Sequence, residues 1–339
     1  MPRPRYATLT VCLLASLMQQ ATASEPFIPH INKSMCVKIP TGPGPHSLLT
    51  RSNPSKMLIS SHDRRHFERQ GNIYEYKTDS GKMNVLPRTG EPSQLEFRPH
   101  HMAVQEVGGT EFLYVINHDD KSPNSNNHSI LVYTAGNGKL TFREQLKDPL
   151  LSSPNHLAVM PNGEIYVSND RRNGGSHLEL LLRQKKATIV HYKPGAGWRI
   201  VAEGLTFPNG IQATTSQVFV STTFGNSILA YPREPDGTLG AAKTVLSQPL
   251  LDGLNSTKKA GYYTVVSHGS LLDFMRHQRN GRHASPASVY EVNVASGKSR
   301  IIFKDNGELI SGISAAVYSG DSIFFGQSFE PFLLRCPYM

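Results

Sequence analysis

Apolar residues along this chain gather in short runs rather than in helical stripes. KMLISSHD (56–63), EFLYVINHDD (111–120), EIYVSND (164–170), QVFVSTT (217–223), YYTVVSHGS (262–270) and SIFFGQS (322–328) are rich in β-branched and aromatic residues, as strands are. Each is followed by a second run of the same kind: GNIYEY, HSILVY, ATIVHY, NSILAY, ASVYEV and FLLRC. Turn formers such as Pro161-Asn162-Gly163 and Asp236-Gly237 stand between runs and predict hairpins. No segment keeps a helical period over three turns, and only SHLELLLRQ (176–184) has the pattern of a short helix.

Ahead of each pair of runs lies a third element, and it repeats. GPHSLLT (44–50), RPHHMAV (98–104), SPNHLAV (153–159) and FPNGIQA (207–213) carry Pro45, Pro99, Pro154 and Pro208, spaced by 54, 55 and 54 residues. A fixed period of that length marks stacked structural units. Two degenerate copies, LLDGLNS (250–256) and ISGISAAV (310–317), complete six. Six units of three to four strands predict an all-β fold, a six-bladed β-propeller spanning residues 24–339 as one domain. In such a fold the innermost strands surround a central channel, so the residue after each proline, or its equivalent, converges on one axis. Those residues are His46, His100, Asn155, Asn209, Asp252 and Ser311, all polar. The ends of the second strands, His62, His118, Asp170, Thr223 and His268, form a further polar ring, and loops 120–129, 171–187 and 270–286 are expected over the channel mouth.

The N-terminus changes the compartment expected for this propeller. Residues 1–23 hold Arg3 and Arg5, an apolar run from Leu9 to Met18, and then Ala21-Thr22-Ala23, the layout of a cleavable secretory signal. A retained N-terminal anchor is the alternative, and no later apolar stretch is long enough to span a membrane. Cleavage removes Cys12 and leaves Cys36 and Cys336, which in an oxidising compartment can pair or stay free. A bond between them would close a loop of nearly the whole chain, stabilising it on the order of 5 kcal/mol in the chain-entropy account. Sequons at Asn32, Asn127 and Asn255 fit secretion as glycosylation sites. The formal charge of +9 falls to +7 without Arg3 and Arg5. Its basic residues are scattered; the densest clusters, RQKK (183–186) and HDRRHFER (62–69), lack the aromatic interleaving of a nucleic-acid surface and read as solvated loops.

Amide and carboxylate oxygens from Asn155, Asn209 and Asp252 suit a hard divalent cation such as Ca²⁺. A hydrogen-bonded polar plug with ordered water accounts for the same residues. VAEGLTFPNGI, FRPHHMAV, YVINHDD, SPNHLAV and the cysteines near both ends resemble the paraoxonase/arylesterase family of calcium-dependent lactonases, within the wider gluconolactonase-like propellers. The resemblance implies a catalytic calcium held in part by Asn155, Asn209 and Asp252, a histidine dyad of His100 and His118, and a Cys36–Cys336 disulfide joining first and last strands. It also exposes departures. Where the family has a glutamate ligand this chain has Pro45 and His46, where it has an asparagine after the aspartate this chain has Gly253, and the acid supporting a second calcium is His156. With His46 as a ligand the site shifts toward Zn²⁺, or toward no metal. The expected function is a secreted hydrolase of small lactones or aryl esters, in which the metal polarises the carbonyl, His100 is the base and His118 its partner. A metal-free channel enzyme of a biosynthetic pathway, like strictosidine synthase relatives, and a non-catalytic binding propeller are the other two readings.

Overall fold

The computed structural model describes residues 31–51, 53–119, 127–172 and 182–338. The signal segment 1–23 and most of the helix expected at 176–184 lie outside the described residues. Six sheets radiate from a common centre in sequence order, each running from an inner strand outward, and all pairings are antiparallel except that of Arg88–Thr89 with Leu140 and Thr141 at the edge of the second. The inner strands are Pro45–Thr50, Pro99–Val107, Pro154–Val159, Pro208–Ala213, Leu251–Ser256 and Ile313–Ser319. The all-β six-bladed propeller expected from the repeat is the fold observed.

Inner and middle strands are covered on both faces by neighbouring blades, which is why their sequences are continuously apolar instead of alternating. Lys56–Ser61 is buried from Met57 onward, whereas the outermost strand Gly197–Leu205 is largely exposed. The core lies in the wedges between blades. Leu58 and Ile73 of the first blade meet Met102, Leu113, Leu131 and Tyr133 of the second. Phe303 and Val289 of the fifth meet Ile313, Phe325 and Leu334 of the sixth. Full burial of such side chains stabilises the fold by about 1.5–3 kcal/mol each.

Closure uses both ends of the chain. Val37–Pro40 pairs with Phe332–Pro337 as the outer strand of the sixth blade, with Val37 opposite Arg335. Cys36 and Cys336 at that seam are joined in a disulfide, as the resemblance implied.

Two expectations need correction. The segment 270–286 was read as a loop but contains the helix Leu271–Arg279, capped by Ser270, whose side chain accepts from Asp273 N. It packs the half-buried Phe274 and the buried His277, one turn apart, against Phe329, a stripe too short to register as a helical period. Asn255 is the second correction: it sits inside an inner strand, 7% exposed, with Oδ1 accepting from Ala316 N at 3.3 Å. A glycan has no room there. Asn32 and Asn127 are exposed.

Candidate functional site at the channel mouth

Every inner strand breaks register just after its first residue. The shifts fall between Pro45 and Ser47, Pro99 and Met102, Pro154 and His156, Pro208 and Ile211, Leu251 and Leu254, and Ile313 and Ala315. Such a bulge leaves a residue unpaired and re-aims its side chain, a device frequent beside active sites. His46, His100, Asn155, Asn209 and Asp252 occupy five of these bulges, at the positions the repeat assigned. The sixth is Ser314, not Ser311. Ser311 precedes the turn at Gly312 and braces a loop, accepting from Ser285 N at 3.0 Å and donating to Gly307 O at 3.0 Å.

Hydroxyls fix the bulges from one blade to the next. Ser60 donates to His100 O (2.5 Å), Ser168 to Asn209 O (2.5 Å), Ser221 to Asp252 O (2.7 Å) and Ser314 to His46 O (2.8 Å). The glycines after Asn209 and Asp252 follow from the same crowding. A Cβ on Gly210 would stand 2.3 Å from Leu254 N, and one on Gly253 2.3 Å from Ser314 O. Phe207 and Leu250, just ahead of Pro208 and Leu251, are held at φ +53° and +49°. Left-handed backbone at non-glycine residues stores about 1–3 kcal/mol and concentrates at functional sites.

One wall of the channel is made of imidazoles. His46 stacks on His100 with centroids 4.3 Å apart, His100 meets His118 edge-on at 5.1 Å, and His118 Nδ1 lies 2.9 Å from His128 Nδ1. Into this wall reaches Arg64, from the cluster read as a solvated loop. Its Nη2 donates to His100 Nδ1 at 2.9 Å, and its Nη1 to Gly44 O at 3.3 Å and His62 O at 3.4 Å. Burial, and then the Arg64 charge, hold His46 well below the usual imidazole range. Burial followed by the neighbouring His46 and Arg64 does the same to His100, and burial followed by His128 and Arg64 to His118. Burial pushes Arg64 down to about 10 against the attraction of Asp252.

The loop that delivers Arg64 is braced throughout. Asp63 Oδ1 accepts from Arg65 N and His66 N, its Oδ2 pairs with Arg69, and Arg98, wholly buried, donates to Phe67 O at 2.7 Å. Arg65 donates to His277 O and Gln278 O at the helix C-terminus and pairs with Glu330 at 2.8 Å. His128 and Arg64 are the site residues that sequence reasoning missed. The available signal was Arg64's place two residues past His62, at the end of a second strand.

The opposite wall presents oxygens. Asn155 Nδ2 donates to Asp170 Oδ2 at 3.2 Å, and Asp170 Oδ1 accepts from Ser153 at 2.5 Å and Arg171 at 3.1 Å. Asp252 Oδ2 pairs with His268 Nε2 at 2.8 Å. The second-strand ring thus serves the axial ring of its own blade: Asp170 holds Asn155, His268 holds Asp252, His118 meets His100. Asn155 Oδ1, Asn209 Oδ1 and His46 Nδ1 are buried without a hydrogen-bond partner among the described residues. One step along the strands, His101 stacks on His156 at 3.8 Å, and both nitrogens of His156 lack partners. The exchange of acid for His156 has made that level neutral: burial brings His101 down to about 3 and His156 well below its usual range.

This donor set is a poor match for a divalent cation. Two open amide oxygens point toward one, but the single axial carboxylate is engaged by His268 and a guanidinium is hydrogen-bonded into the opposite wall. Among the described residues no group of three or more His, Cys, Asp or Glu is arranged to hold a metal ion. Calcium takes roughly six to eight oxygens, usually with several carboxylates.

Known proteins resemble this chain along most of its length. Mechanosensory abnormality protein 6 of Caenorhabditis elegans is 26% identical over 243 residues, covering 67% of this chain and 62% of that protein. Human serum paraoxonase/arylesterase 1 is 22% identical over 232 residues, covering 66% of this chain and 64% of that protein, so the match spans less than two thirds of either relative. Among solved structures, a gluconolactonase from Xanthomonas campestris superposes with a TM-score of 0.59 at 16% identity, covering 90% of this chain and 89% of its own. A luciferin-regenerating enzyme superposes with 0.58 at 7% identity, covering 90% and 95%. These two share the fold. A match to the arylesterase family runs over residues 28–336, from just before the closing strand to the second cysteine of the disulfide, and the chain belongs to that family.

Proposed function

We propose that the chain hydrolyses small lactones or aryl esters at the imidazole wall, with His118 as the base. The observation that carries this reading is the hydrogen bond from Arg64 to His100 Nδ1. An arginine can only donate, so His100 Nδ1 keeps its lone pair and the ring's proton sits on Nε2. His100 in that state is a donor at Nε2 and is not suited to removing a proton from water. The roles expected from the sequence, His100 as base and His118 as partner, are therefore exchanged.

His118 is tied through Nδ1 to His128 Nδ1 at 2.9 Å. With the proton on His118 Nδ1, His128 accepts it and His118 Nε2 is free as a base, the arrangement of a base held by an orienting partner. His118 Nε2 takes a proton from water as its oxygen bonds to the carbonyl carbon, and the carbonyl electron pair moves onto oxygen. Collapse of the tetrahedral intermediate breaks the bond to the leaving oxygen, which receives the proton from His118. The ester and water become an acid and an alcohol, or one hydroxy acid from a lactone.

Depressed basicity keeps His118 neutral through the physiological range, so its acid limb in kcat/KM is expected well below pH 6.5. A panel of phenyl esters and five- and six-membered lactones, run on the purified chain and on His118→Gln, tests the reading. Absence of turnover by the native protein on all of them would sink it and favour a binding role.

Passage through the secretory pathway belongs to the same proposal. The Cys36–Cys336 bond and the exposed Asn32 and Asn127 support it. A shift in gel mobility on glycosidase treatment, lost in the Asn32→Gln and Asn127→Gln double variant, is the expected sign.

A further inference from the structure

We infer that Arg64 is the resident cation of the channel: its guanidinium binds the carbonyl oxygen of the substrate in place of a divalent ion, and the chain takes up no calcium at this site. The inference rests on the hydrolase reading for its chemistry but not for its metal content. Of the five N–H groups on the guanidinium, one goes to His100 Nδ1 and two to Gly44 O and His62 O. Two remain, one on Nε and one on the Nη2 that meets His100, where an oxygen acquiring negative charge gains from a fixed, water-poor cation.

Its position is set in advance. Asp63, Arg98 and Arg65 hold the loop from three directions, including contacts with the helix C-terminus and Glu330, so the guanidinium need not be recruited by the substrate. Charge balance supports the same conclusion. Asp252 is the one axial carboxylate, its Oδ2 is paired with His268 at 2.8 Å, and the fixed charge of Arg64 already offsets the negative charge that a calcium ion would require. Imidazole, amide and guanidinium together leave a divalent ion with a like charge beside it and few anionic ligands.

Two measurements test this separately. The first is elemental analysis of chelator-rinsed native protein, with calcium chloride titrated against its Tm. Less than about one tenth of an equivalent of calcium and a Tm unmoved within about 1 °C at millimolar calcium are expected, since a ligand that does not bind the native state cannot stabilise it. One tightly held equivalent, or a Tm that climbs with calcium, overturns the inference whatever the substrate is. The second is Arg64→Ala, expected to lose about 10²-fold in kcat with KM within about threefold, and to regain at least tenfold with sub-denaturing guanidinium ion. Arg64→Lys keeps the charge without the fork and is expected between the two, which serves if the alanine variant does not fold. A folded Arg64→Ala protein with unchanged kcat, or one that guanidinium does not rescue, overturns it. If the native protein hydrolyses nothing in the panel, the hydrolase reading falls and the calcium titration decides Arg64 alone.

Discussion

The first and fourth blades start alike and end differently. PHSLLT and PNGIQA show the same sequence of burial along the inner strand, and each carries its axial residue on a bulge one position past a proline. Backbone placement of His46 and Asn209 is equivalent, and a hydroxyl of the preceding blade grips each carbonyl, from the inner strand at Ser314 for His46 and from the second strand at Ser168 for Asn209. The second and third strands are joined by residues 62–71 in the first blade and by 223–226 in the fourth. The longer connection turns Arg64 into the channel; the shorter one leaves Asn209 Oδ1 open. A repeated backbone decides where polar groups converge, and the connections between strands decide what chemistry they meet.

The largest test of that difference is on the imidazole side. His118→Gln is expected to lower kcat by about 10³-fold and His100→Gln by about 10²-fold, read by steady-state kinetics on whichever ester or lactone turns over best. A larger loss at His100 than at His118 would return the base to His100 and detach Arg64 from the assignment.

Next in size is the cost of acid. The unfolded chain takes up protons below about pH 6.5, whereas His101, brought to about 3, and His156 refuse them when folded. Their contribution to stability is fully present above pH 6.5 and is lost as the pH falls from there toward 3. The pair is expected to cost roughly 2 kcal/mol between pH 6.5 and 5.5, about 1 kcal/mol for each ring, measurable as a lower denaturation midpoint. His101→Phe with His156→Phe should remove the pair's share of that slope, leaving the part due to His46, His100 and His118, and an unchanged slope would mean the two rings protonate in place.

On the oxygen side, Asn209→Ala is expected to lower kcat by about tenfold while the protein stays folded and monodisperse, because one fixed polar group near the substrate is lost without a cation depending on it. A fall beyond about 10³-fold, together with loss of bound calcium, would restore a metal to that wall. The smallest effect addresses the shared backbone. Ser60→Ala and Ser168→Ala each orphan one buried carbonyl, His100 O or Asn209 O, and one buried N–H, that of Ser47 or His156, and should cost about 2 kcal/mol alike. Unequal losses in chemical denaturation would show that the two bulges are not held equivalently.

Legibility in the sequence followed the range of the forces involved. Strands, hairpins and the repeat were readable because β-branched runs and turn residues act locally and recur at a near-constant spacing. Five axial residues came with them. The sixth was misplaced by three residues, since in ISGISAAV two serines precede small residues and only pairing of Ile313 with Gln327 selects Ser314. Asn255 looked like a glycan acceptor because a sequon carries no record of burial. HDRRHFER looked solvated because three charges in a row usually are.

By itself the sequence determined six blades, the closing cysteines, and the polar residues at the start of five of the six inner strands. Tertiary structure alone decided that Arg64 turns inward, that His128 backs His118, and that His101 and His156 stack as neutral rings. The physical reason lies in the partners. Strand pairing is dictated by residues a hairpin apart, but the loop carrying Arg64 is held through Arg65 by Glu330, 265 residues away. Contacts at that separation exist only once the propeller has closed, so the charge at the centre of the site is a consequence of the completed ring.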